Sequence, residues 1–315
     1  MTNGIEGRAL RIETANPRNY FDAISNTANL LPQTIQGSLF LPRGTGPFPV
    51  VIVVPGSLGL GVHHIASAVP LTDASIAVCA IDPFGARAVT STVRDQTQYS
   101  YAASAWDVLA TVNHLATLPE IDASRIGAQG HSRGGSAVMT AAANRFRSAL
   151  PGPALHGVYA AYPWSGHQFA DPDVGATRIR AIIGDRDEWC LPQQVQSHIH
   201  AIRACGGQAD VRVVGGAHHS FDRPVPLENH PDAAIAPGAP TVFIDRDGAF
   251  FHPLEENSNQ DLVDRDLFVY AAKAGYARFG AHIGGGEGGL ADLFHADMMA
   301  FWQDVMGQTD QSVGA

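Results

Sequence analysis

The sequence predicts an α/β fold with a mostly parallel central sheet and helices on both faces. Short apolar segments rich in β-branched residues, such as residues 50–54, recur along the chain and indicate buried strands. Segments with helical periodicity separate them, which is the pattern of strands joined by crossover helices. A third observation is the glycine-containing turn at residues 130–134, which follows one apolar segment and precedes a run of small apolar residues.

Each predicted strand is a short apolar segment bounded by glycine, proline or charged residues. The predicted strands are residues 35–41, 49–54, 76–82, 126–129, 157–162, 178–184 and 211–214. The predicted helices are residues 101–118, 134–143, 192–204, 261–278 and 291–306. We expect the last helix, which is amphipathic, to pack on the sheet.

The region after residue 222 departs from this alternation. Residues 223–240 contain five prolines and predict a long loop. Two apolar segments flank Asp247 and Gly248, and this pattern predicts a β-hairpin. We therefore predict a single domain over residues 1–315, with an excursion at about 223–290. The excursion either caps an active site or forms a subunit interface.

The pentapeptide Gly130-His131-Ser132-Arg133-Gly134 has the pattern G-x-S-x-G. A serine on a sharp strand-to-helix turn has its hydroxyl exposed, and small residues two positions before and after it let the turn close. The pentapeptide alone is common, but here it lies between a predicted strand and a predicted helix. The sequence therefore predicts that Ser132 is a nucleophile.

A serine hydroxyl is a weak nucleophile near neutral pH, so it needs a base, and the base needs a group that orients it. Loops after two later strands supply candidates for both roles. The acid candidates are Asp185, Asp187 and Glu188, and the histidine candidates are His218 and His219. Ligands bind at the C-terminal ends of strands in open α/β sheets. The chain order of serine, acid and histidine is that of the α/β-hydrolases.

With these motifs the chain resembles the dienelactone hydrolase family of α/β-hydrolases over roughly residues 35–222. The matching segments are residues 130–134, 184–189 and 216–222. The resemblance implies that Ser132, Asp187 and His219 form the catalytic triad. Asp187 is third after the glycine that closes its strand, and His219 lies two residues before a phenylalanine. Enzymes that give the family its name carry a cysteine nucleophile, so Ser132 implies a more general ester hydrolase.

Hydrolysis of an ester builds negative charge on the carbonyl oxygen, and backbone N–H groups must stabilise it. One predicted donor is the N–H of Arg133, directly after the nucleophile. The other comes from residues 55–61, a loop that stands where related hydrolases carry His-Gly-x-x-Gly. The N–H of Ser57 is the predicted donor there, and the N–H of Leu58 is the alternative.

Two arginines are candidates for binding a carboxylate on the substrate, because a guanidinium binds carboxylates bidentately. Arg223 lies four residues after His219, and the resemblance assigns this position to substrate binding. Arg87 lies in the loop after the strand at 76–82. The alternative for Arg223 is a salt bridge with Asp222 or another neighbour.

Aromatic residues fall on several predicted strand-end loops and are candidates for the walls of an apolar pocket. The predicted substrate-contacting aromatic residues are Phe84, Trp164 and Trp189. Tyr162 and Phe221 occupy similar positions, and some members of this set are expected to belong to the core. His131 is expected to pack against the turn or to line the pocket.

Charge and cysteine content exclude several classes of partner. The chain carries 20 basic and 30 acidic residues, a net charge of −10, which argues against nucleic acid or an anionic membrane as a partner. No apolar run approaches the ~20 residues of a membrane span, and no apolar signal segment is visible near Met1. The three cysteines form no C-x-x-C pair and indicate reduced thiols, so we expect a cytoplasmic protein.

The sequence predicts neither a cofactor nor a metal. No apolar strand precedes the glycine-rich residues 284–289, so a dinucleotide site is not expected there. The histidine pairs at 63–64 and at 198 and 200 lack the spacing of metal ligands on one face.

The predicted function is a serine carboxylic-ester hydrolase that acts through an acyl-enzyme on small esters or lactones. Carboxylate-bearing substrates are among the candidates. Two alternatives stay open, namely acyl transfer by the same triad and a non-catalytic binding protein on the same scaffold. A homo-oligomer is compatible with the sequence.

Overall fold

Residues 6–307 are described by the structure, which is a computed structural model. Strands and helices alternate through most of this part of the chain. The strands are β1 (Arg8–Ala15), β2 (Pro32–Phe40), β3 (Phe48–Val54), β4 (Ala77–Asp82), β5 (Ile121–His131), β6 (Gly157–Ala161), β7 (His167–Phe169), β8 (Arg178–Gly184), β9 (Ala209–Val214), β10 (Glu228–Ile235), β11 (Val242–Ile244), β12 (Phe250–Phe251), β13 (Ser258–Asn259) and β14 (Arg278–Ile283). The helices are α1 (Tyr20–Ser25), α2 (Val62–Ala66), α3 (Ala68–Asp73), α4 (Tyr101–Ala116), α5 (Arg133–Ala142), α6 (Asn144–Arg147), α7 (Pro192–Ala204), α8 (Asp264–Lys273) and α9 (Leu290–Gly307).

The central sheet has eight strands in the order β1-β2-β4-β3-β5-β6-β8-β9. The strands from β4 to β9 in this order pair in parallel, whereas β1 and β2 form an antiparallel edge. The apolar runs of β3 and β4 are buried on both faces, as expected for strands in the middle of a parallel sheet. The predicted mostly parallel sheet is therefore confirmed.

Helices cover both faces of the sheet. Successive residues of a strand point to opposite faces, and β5 shows this directly. On one face Gln129 accepts a hydrogen bond from the indole N–H of Trp302 in α9 at 2.9 Å. On the other face the backbone of Gly130 lies against the start of α5. The expectation that the last helix packs on the sheet is confirmed, and over residues 6–307 no helix is both long and apolar enough for a membrane span.

The segment after β9 forms two small sheets beside the central one. Strand β10 pairs antiparallel with β14, and β11 joins β7 and β12 in a four-stranded sheet that ends with β13. The predicted hairpin is present, because Ile244 pairs with Phe250 across a turn in which Gly248 has a φ of +92°. Helix α8 is shorter than predicted, because Gly275 has a φ of +80° and the chain then enters β14.

Candidate active site

The pentapeptide at residues 130–134 forms the predicted turn between β5 and α5. Ser132 has a φ of +54°, a conformation that strains any residue with a Cβ. The chain comes so close to itself here that a Cβ on Gly130 would lie 2.0 Å from the carbonyl oxygen of Gly134. A Cβ on Gly134 would lie 2.4 Å from the carbonyl oxygen of Val54. Both glycines are therefore required for this turn, which presents Ser132 beyond the end of the strand.

The structure brings together Ser132, Asp187 and His219. The Nε2 atom of His219 lies 3.0 Å from the Oγ of Ser132, and its Nδ1 lies 2.7 Å from Oδ2 of Asp187. The other carboxylate oxygen of Asp187 accepts hydrogen bonds from the backbone N–H groups of Trp189 and Cys190 at 2.9 and 2.8 Å. All three side chains of this triad are buried. The arrangement can pass a proton from the serine hydroxyl to an imidazole that the carboxylate holds in place.

The competing acid and histidine candidates make other contacts. Asp185 is exposed and accepts a hydrogen bond from the backbone N–H of Gly216 at 2.7 Å. Glu188 forms ion pairs with Arg278 and His282 at 3.4 and 3.5 Å. His218 is half-buried, and its ring lies beside that of His282. None of these three side chains contacts Ser132.

Two backbone N–H groups next to Ser132 are free to bind a carbonyl oxygen. Among the described residues, neither the N–H of Ser57 nor that of Arg133 has a hydrogen-bond partner. The carbonyl oxygen of Ser57 accepts a hydrogen bond from the N–H of Thr92 at 2.8 Å, and this bond holds the loop that contains Ser57 in place. The preceding residue, Gly56, lies against the backbone of His131. Leu58, the alternative donor, lies one residue further along the same loop.

The side chain of Arg133 is structural. Its guanidinium is buried between the rings of Tyr99 and Tyr101, at 4.4 and 4.0 Å from their centroids. It donates hydrogen bonds to the carbonyl oxygens of Gln96 and Tyr99. These contacts fix the N-terminus of α5, where the free N–H of the same residue lies.

A chain of hydrogen bonds that the sequence did not predict connects the turn to the histidine loop. Trp302 donates to Gln129, whose side-chain amide donates to Nε2 of His131 at 3.1 Å. The hydroxyl of Tyr162 donates its hydrogen to the carboxylate of Asp222 at 2.8 Å. Because that hydrogen is already used, the hydroxyl oxygen accepts a hydrogen bond from Nδ1–H of His131 at 2.9 Å. Burial lowers the pKa of His131 to about 4, so its ring is neutral and fits these roles. This series of hydrogen bonds holds Asp222 in place, together with the loop that carries His219.

Two cavities meet at Ser132. The apolar cavity is lined by Trp164, Ile235, Val242, Leu267, Phe268 and Ala271. The histidine cavity is lined by His63, His64, His131, His219 and Arg223. Ser57, Ser132 and Trp189 line both cavities. Trp164, Trp189 and Arg223 thus lie in the walls of cavities that reach Ser132, and the excursion after residue 222 supplies much of the apolar cavity's wall.

The structure does not support substrate contacts for Arg87 and Phe84. The guanidinium of Arg87 is buried against the carboxylate of Asp107 at 2.8 and 3.1 Å, and it also donates to the carbonyl oxygen of Pro83. Phe84 is buried against the ring of Tyr99. Neither side chain lines a cavity at Ser132. The sequence placed both residues on the correct loop but could not reveal that Asp107 in α4 faces this loop.

Arg87→Ala is expected to lower the free energy of unfolding by about 3–5 kcal/mol, because it leaves the buried carboxylate of Asp107 unpaired. Urea denaturation followed by circular dichroism measures this loss. The control is Arg94→Ala, which removes an exposed ion pair with Asp232 and should change the midpoint little. Equal midpoints for the two variants would contradict a structural role for Arg87.

One cluster of possible metal ligands occurs in the described part of the chain, and it coincides with the triad. The ligand atoms of Asp187, Cys190 and His219 lie within 4.8 Å of one another. Both oxygens of Asp187 already accept hydrogen bonds, and burial raises the pKa of the Cys190 thiol well above its usual range. A metal ion would have to displace the hydrogen bond between Asp187 and His219. The donor set therefore fits proton transfer better than metal binding.

Comparisons with solved structures place this fold among known hydrolases. The structure of m3DLH aligns with a TM-score of 0.54 and 16% identity, covering 85% of this chain and 95% of that chain. The dienelactone hydrolase-like promiscuous phosphotriesterase P91 from metagenomic libraries aligns with a TM-score of 0.51 and 19% identity, covering 70% and 86%. The esterase Est22 aligns with a TM-score of 0.51 and 16% identity, covering 70% and 75%. At these identities the likeness concerns the fold.

A match to a family model identifies the family of the chain. No curated protein matches the chain. The family model described as the dienelactone hydrolase family matches residues 35–236, which is more than half of the chain and contains the strand-to-helix turn and both triad loops. The chain therefore belongs to the dienelactone hydrolase family and is a hydrolase of the carboxylesterase type, and it has the α/β-hydrolase fold of the solved structures.

Proposed function

We propose that the protein hydrolyses small carboxylic esters through a covalent acyl-enzyme on Ser132. The observation that carries the proposal is the continuous pair of hydrogen bonds, at 3.0 and 2.7 Å, that joins Ser132 to His219 and His219 to Asp187. The strained turn supports the same conclusion, because strain of this kind is retained where a side chain must be presented for chemistry.

In the first half of the reaction His219 removes the proton from Ser132 as its oxygen attacks the ester carbonyl. The tetrahedral intermediate places negative charge on the former carbonyl oxygen, and the free N–H groups of Ser57 and Arg133 stabilise it. Collapse breaks the bond to the alcohol, which leaves with the proton from His219. Asp187 stabilises the imidazolium that forms between these two transfers.

In the second half water attacks the acyl group on Ser132. His219 removes a proton from this water, and the same two N–H groups stabilise the second tetrahedral intermediate. The serine oxygen then leaves with that proton, which restores the free enzyme and releases a carboxylic acid. Small esters and lactones both fit this sequence of steps, because each carries an acyl carbon bonded to an oxygen leaving group.

Product analysis tests this function. The wild-type protein is incubated with a simple ester in water and in water containing added methanol, and the products are separated. Hydrolysis is supported if the free acid is the main product in both reactions. A methyl ester as the main product at low methanol concentration would indicate acyl transfer. An intact protein that forms neither product would favour a non-catalytic binding protein.

Arg223 supports an additional preference for esters that carry a carboxylate. Its side chain lines the histidine cavity, its buried Nε–H has no partner, and it forms no ion pair within the described residues. The neighbouring carboxylate of Asp222 accepts a hydrogen bond from the hydroxyl of Tyr162 at 2.8 Å instead. The sequence alternative of a salt bridge with Asp222 is therefore not found.

Arg223→Ala is expected to lower kcat/KM for carboxymethyl butyrate, whose carboxylate is on the alcohol side, by about 10- to 100-fold relative to ethyl butyrate, because a charged hydrogen-bonded pair contributes about 1.5–3 kcal/mol. The two substrates are compared within each protein, so a general loss of activity cancels. A pH-stat assay measures both rates. An equal decrease for the anionic and the neutral ester would remove Arg223 from substrate binding.

We also infer that the described residues form one domain. Strand β11 of the excursion pairs with β7, which precedes β8 of the central sheet in the chain, and residues of the excursion complete the apolar cavity at Ser132. The excursion therefore packs against the α/β core instead of forming a separate core of its own.

A further inference from the structure

The two cavities at Ser132 have different chemistry, and their positions relative to His219 determine which part of a substrate enters each. When the carbonyl oxygen of an ester lies between the N–H groups of Ser57 and Arg133, two substituents remain on the acyl carbon. One is the acyl chain and the other is the alcohol. Each of these two substituents must enter a different cavity.

The position of His219 identifies the cavity for the alcohol. As the bond between the acyl carbon and the alcohol oxygen breaks, that oxygen must receive the proton held by Nε2 of His219. His219 lines the histidine cavity and does not line the apolar cavity. The alcohol therefore lies in the histidine cavity, and the acyl chain, which stays bonded to Ser132, lies in the apolar cavity.

The apolar cavity suits a bulky apolar acyl chain. Trp164, Leu267 and Phe268 provide its aromatic and aliphatic walls, as is typical of sites that bind apolar groups. Leu267, Phe268 and Ala271 belong to α8, and the family match ends at residue 236. This wall is thus an addition to the part of the chain that the family model describes.

The histidine cavity suits a small alcohol with a hydrogen-bond acceptor. Nδ1 of His64 accepts from the backbone N–H of Gly61 at 3.0 Å, so Nε2 carries the hydrogen of the neutral ring. This Nε2–H is buried and has no partner among the described residues, and the side chain is only 3% exposed. Burial also lowers the pKa of His64 well below its usual value, so the ring offers a neutral donor. An acceptor on the alcohol would satisfy it.

We propose that the substrate is an ester of a bulky apolar carboxylic acid with a small alcohol that accepts a hydrogen bond from His64. This proposal rests on the proposed ester hydrolysis and adds the substrate's polarity and orientation. In acylation the bond between Ser132 Oγ and the acyl carbon forms, and the bond to the alcohol oxygen breaks. The serine proton reaches that oxygen through His219, so no further reactant is needed.

A pair of isomeric esters tests the orientation in the wild-type protein. 2-Hydroxyethyl 4-phenylbutanoate carries the bulky group on the acyl side, and 4-phenylbutyl glycolate carries it on the alcohol side. Both rates are divided by the rates of hydroxide-catalysed hydrolysis to remove intrinsic reactivity. We expect kcat/KM to favour 2-hydroxyethyl 4-phenylbutanoate by at least about tenfold, since each buried methylene contributes roughly fourfold. An equal or reversed preference overturns the proposal.

A substitution in α8 tests the cavity itself. Ala271→Trp should fill the apolar cavity and lower the ratio of kcat/KM for 2-hydroxyethyl 4-phenylbutanoate to that for 2-hydroxyethyl acetate by at least about tenfold. The matched control is Ala272→Trp, the same change at an exposed position of the same helix, which should keep the wild-type ratio. An unchanged ratio in Ala271→Trp overturns the assignment of the acyl chain to this cavity.

A substitution in the histidine cavity tests the alcohol side. His64→Met removes the free N–H and should lower the preference for 2-hydroxyethyl over propyl 4-phenylbutanoate, whereas an unchanged preference overturns the role of His64. Reaction of Ser132 with a fluorophosphonate separates the two levels of failure. A protein that reacts and hydrolyses esters but prefers 4-phenylbutyl glycolate contradicts only this inference. A protein that does neither contradicts the proposed function and the inference with it.

Discussion

Ser132→Ala is expected to lower kcat for ester hydrolysis by about 10⁴- to 10⁶-fold, because it removes the hydroxyl that forms the acyl-enzyme. A neighbouring nucleophile is the thiol of Cys190, whose sulfur lies 4.0 Å from Oγ of Ser132. Burial raises the pKa of this thiol well above its usual range, so it is protonated and unreactive near neutral pH. Steady-state rates with a neutral aryl ester, measured after removal of contaminating esterases, provide the value.

The control for this prediction is Ser148→Ala, the same change at an exposed serine at the end of α6. It passes through the same expression and purification and should keep the wild-type rate. Thermal unfolding of both variants checks that they are folded. A folded Ser132→Ala protein that retains more than about 1% of the activity would show that the reaction does not proceed through this hydroxyl.

Asp187→Asn is expected to lower kcat by about 10³- to 10⁴-fold with little change in overall structure. The carboxylate of Asp187 holds Nδ1–H of His219, which leaves Nε2 free to accept the serine proton. An amide at this position can donate to Nδ1 and favour the other tautomer, in which Nε2 already carries a hydrogen. Rates at several pH values, with the same ester as for Ser132→Ala, measure the effect.

Asp185→Asn is the matched control, because Asp185 is two residues away on the same loop and is exposed. Its carboxylate contacts the N–H of Gly216 rather than the imidazole. We expect this variant to remain within a few-fold of the wild type, as is usual for surface substitutions away from the reacting groups. A larger loss in Asp185→Asn than in Asp187→Asn would reverse the assignment of the acid.

The parts of the site that could be predicted from sequence are those that local geometry determines. A G-x-S-x-G turn between a strand and a helix presents its serine at the end of the strand. The turn can form because Gly130 and Gly134 allow neighbouring backbone segments to come close together. The loops of Asp187 and His219 follow parallel strands β8 and β9, so they emerge at the same edge of the sheet. The strand order then brings these loops towards Ser132.

The parts that could not be predicted depend on pairs of residues far apart in the chain. Arg87 is plausible as a ligand for substrate until the fold brings Asp107 of α4 against it. The connection from Trp302 through Gln129 to His131 joins α9 to β5, and Trp302 and Gln129 are 173 positions apart in the chain. No periodicity or motif marks such a pairing, because hydrogen bonds between side chains leave no local pattern.

The strands missed in the sequence have a similar explanation. Strand β1 is an edge strand in which exposed and buried residues alternate. Because few of its residues are apolar, its sequence looks like a polar chain terminus. Strands β10 and β14 pair with each other through an irregular register and carry many exposed side chains. Their stability comes from pairing and from contacts at the cavity rather than from an apolar run, so hydrophobic patterning does not reveal them.

The most direct test of Ser132 as the nucleophile is mass spectrometry of the intact protein after reaction with a fluorophosphonate, followed by peptide mapping. We expect one adduct per chain, located on Ser132, with loss of esterase activity in proportion to labelling. The adduct should be absent from Ser132→Ala. A protein that hydrolyses esters yet forms no adduct, or forms it on a residue other than Ser132, would contradict the proposed mechanism.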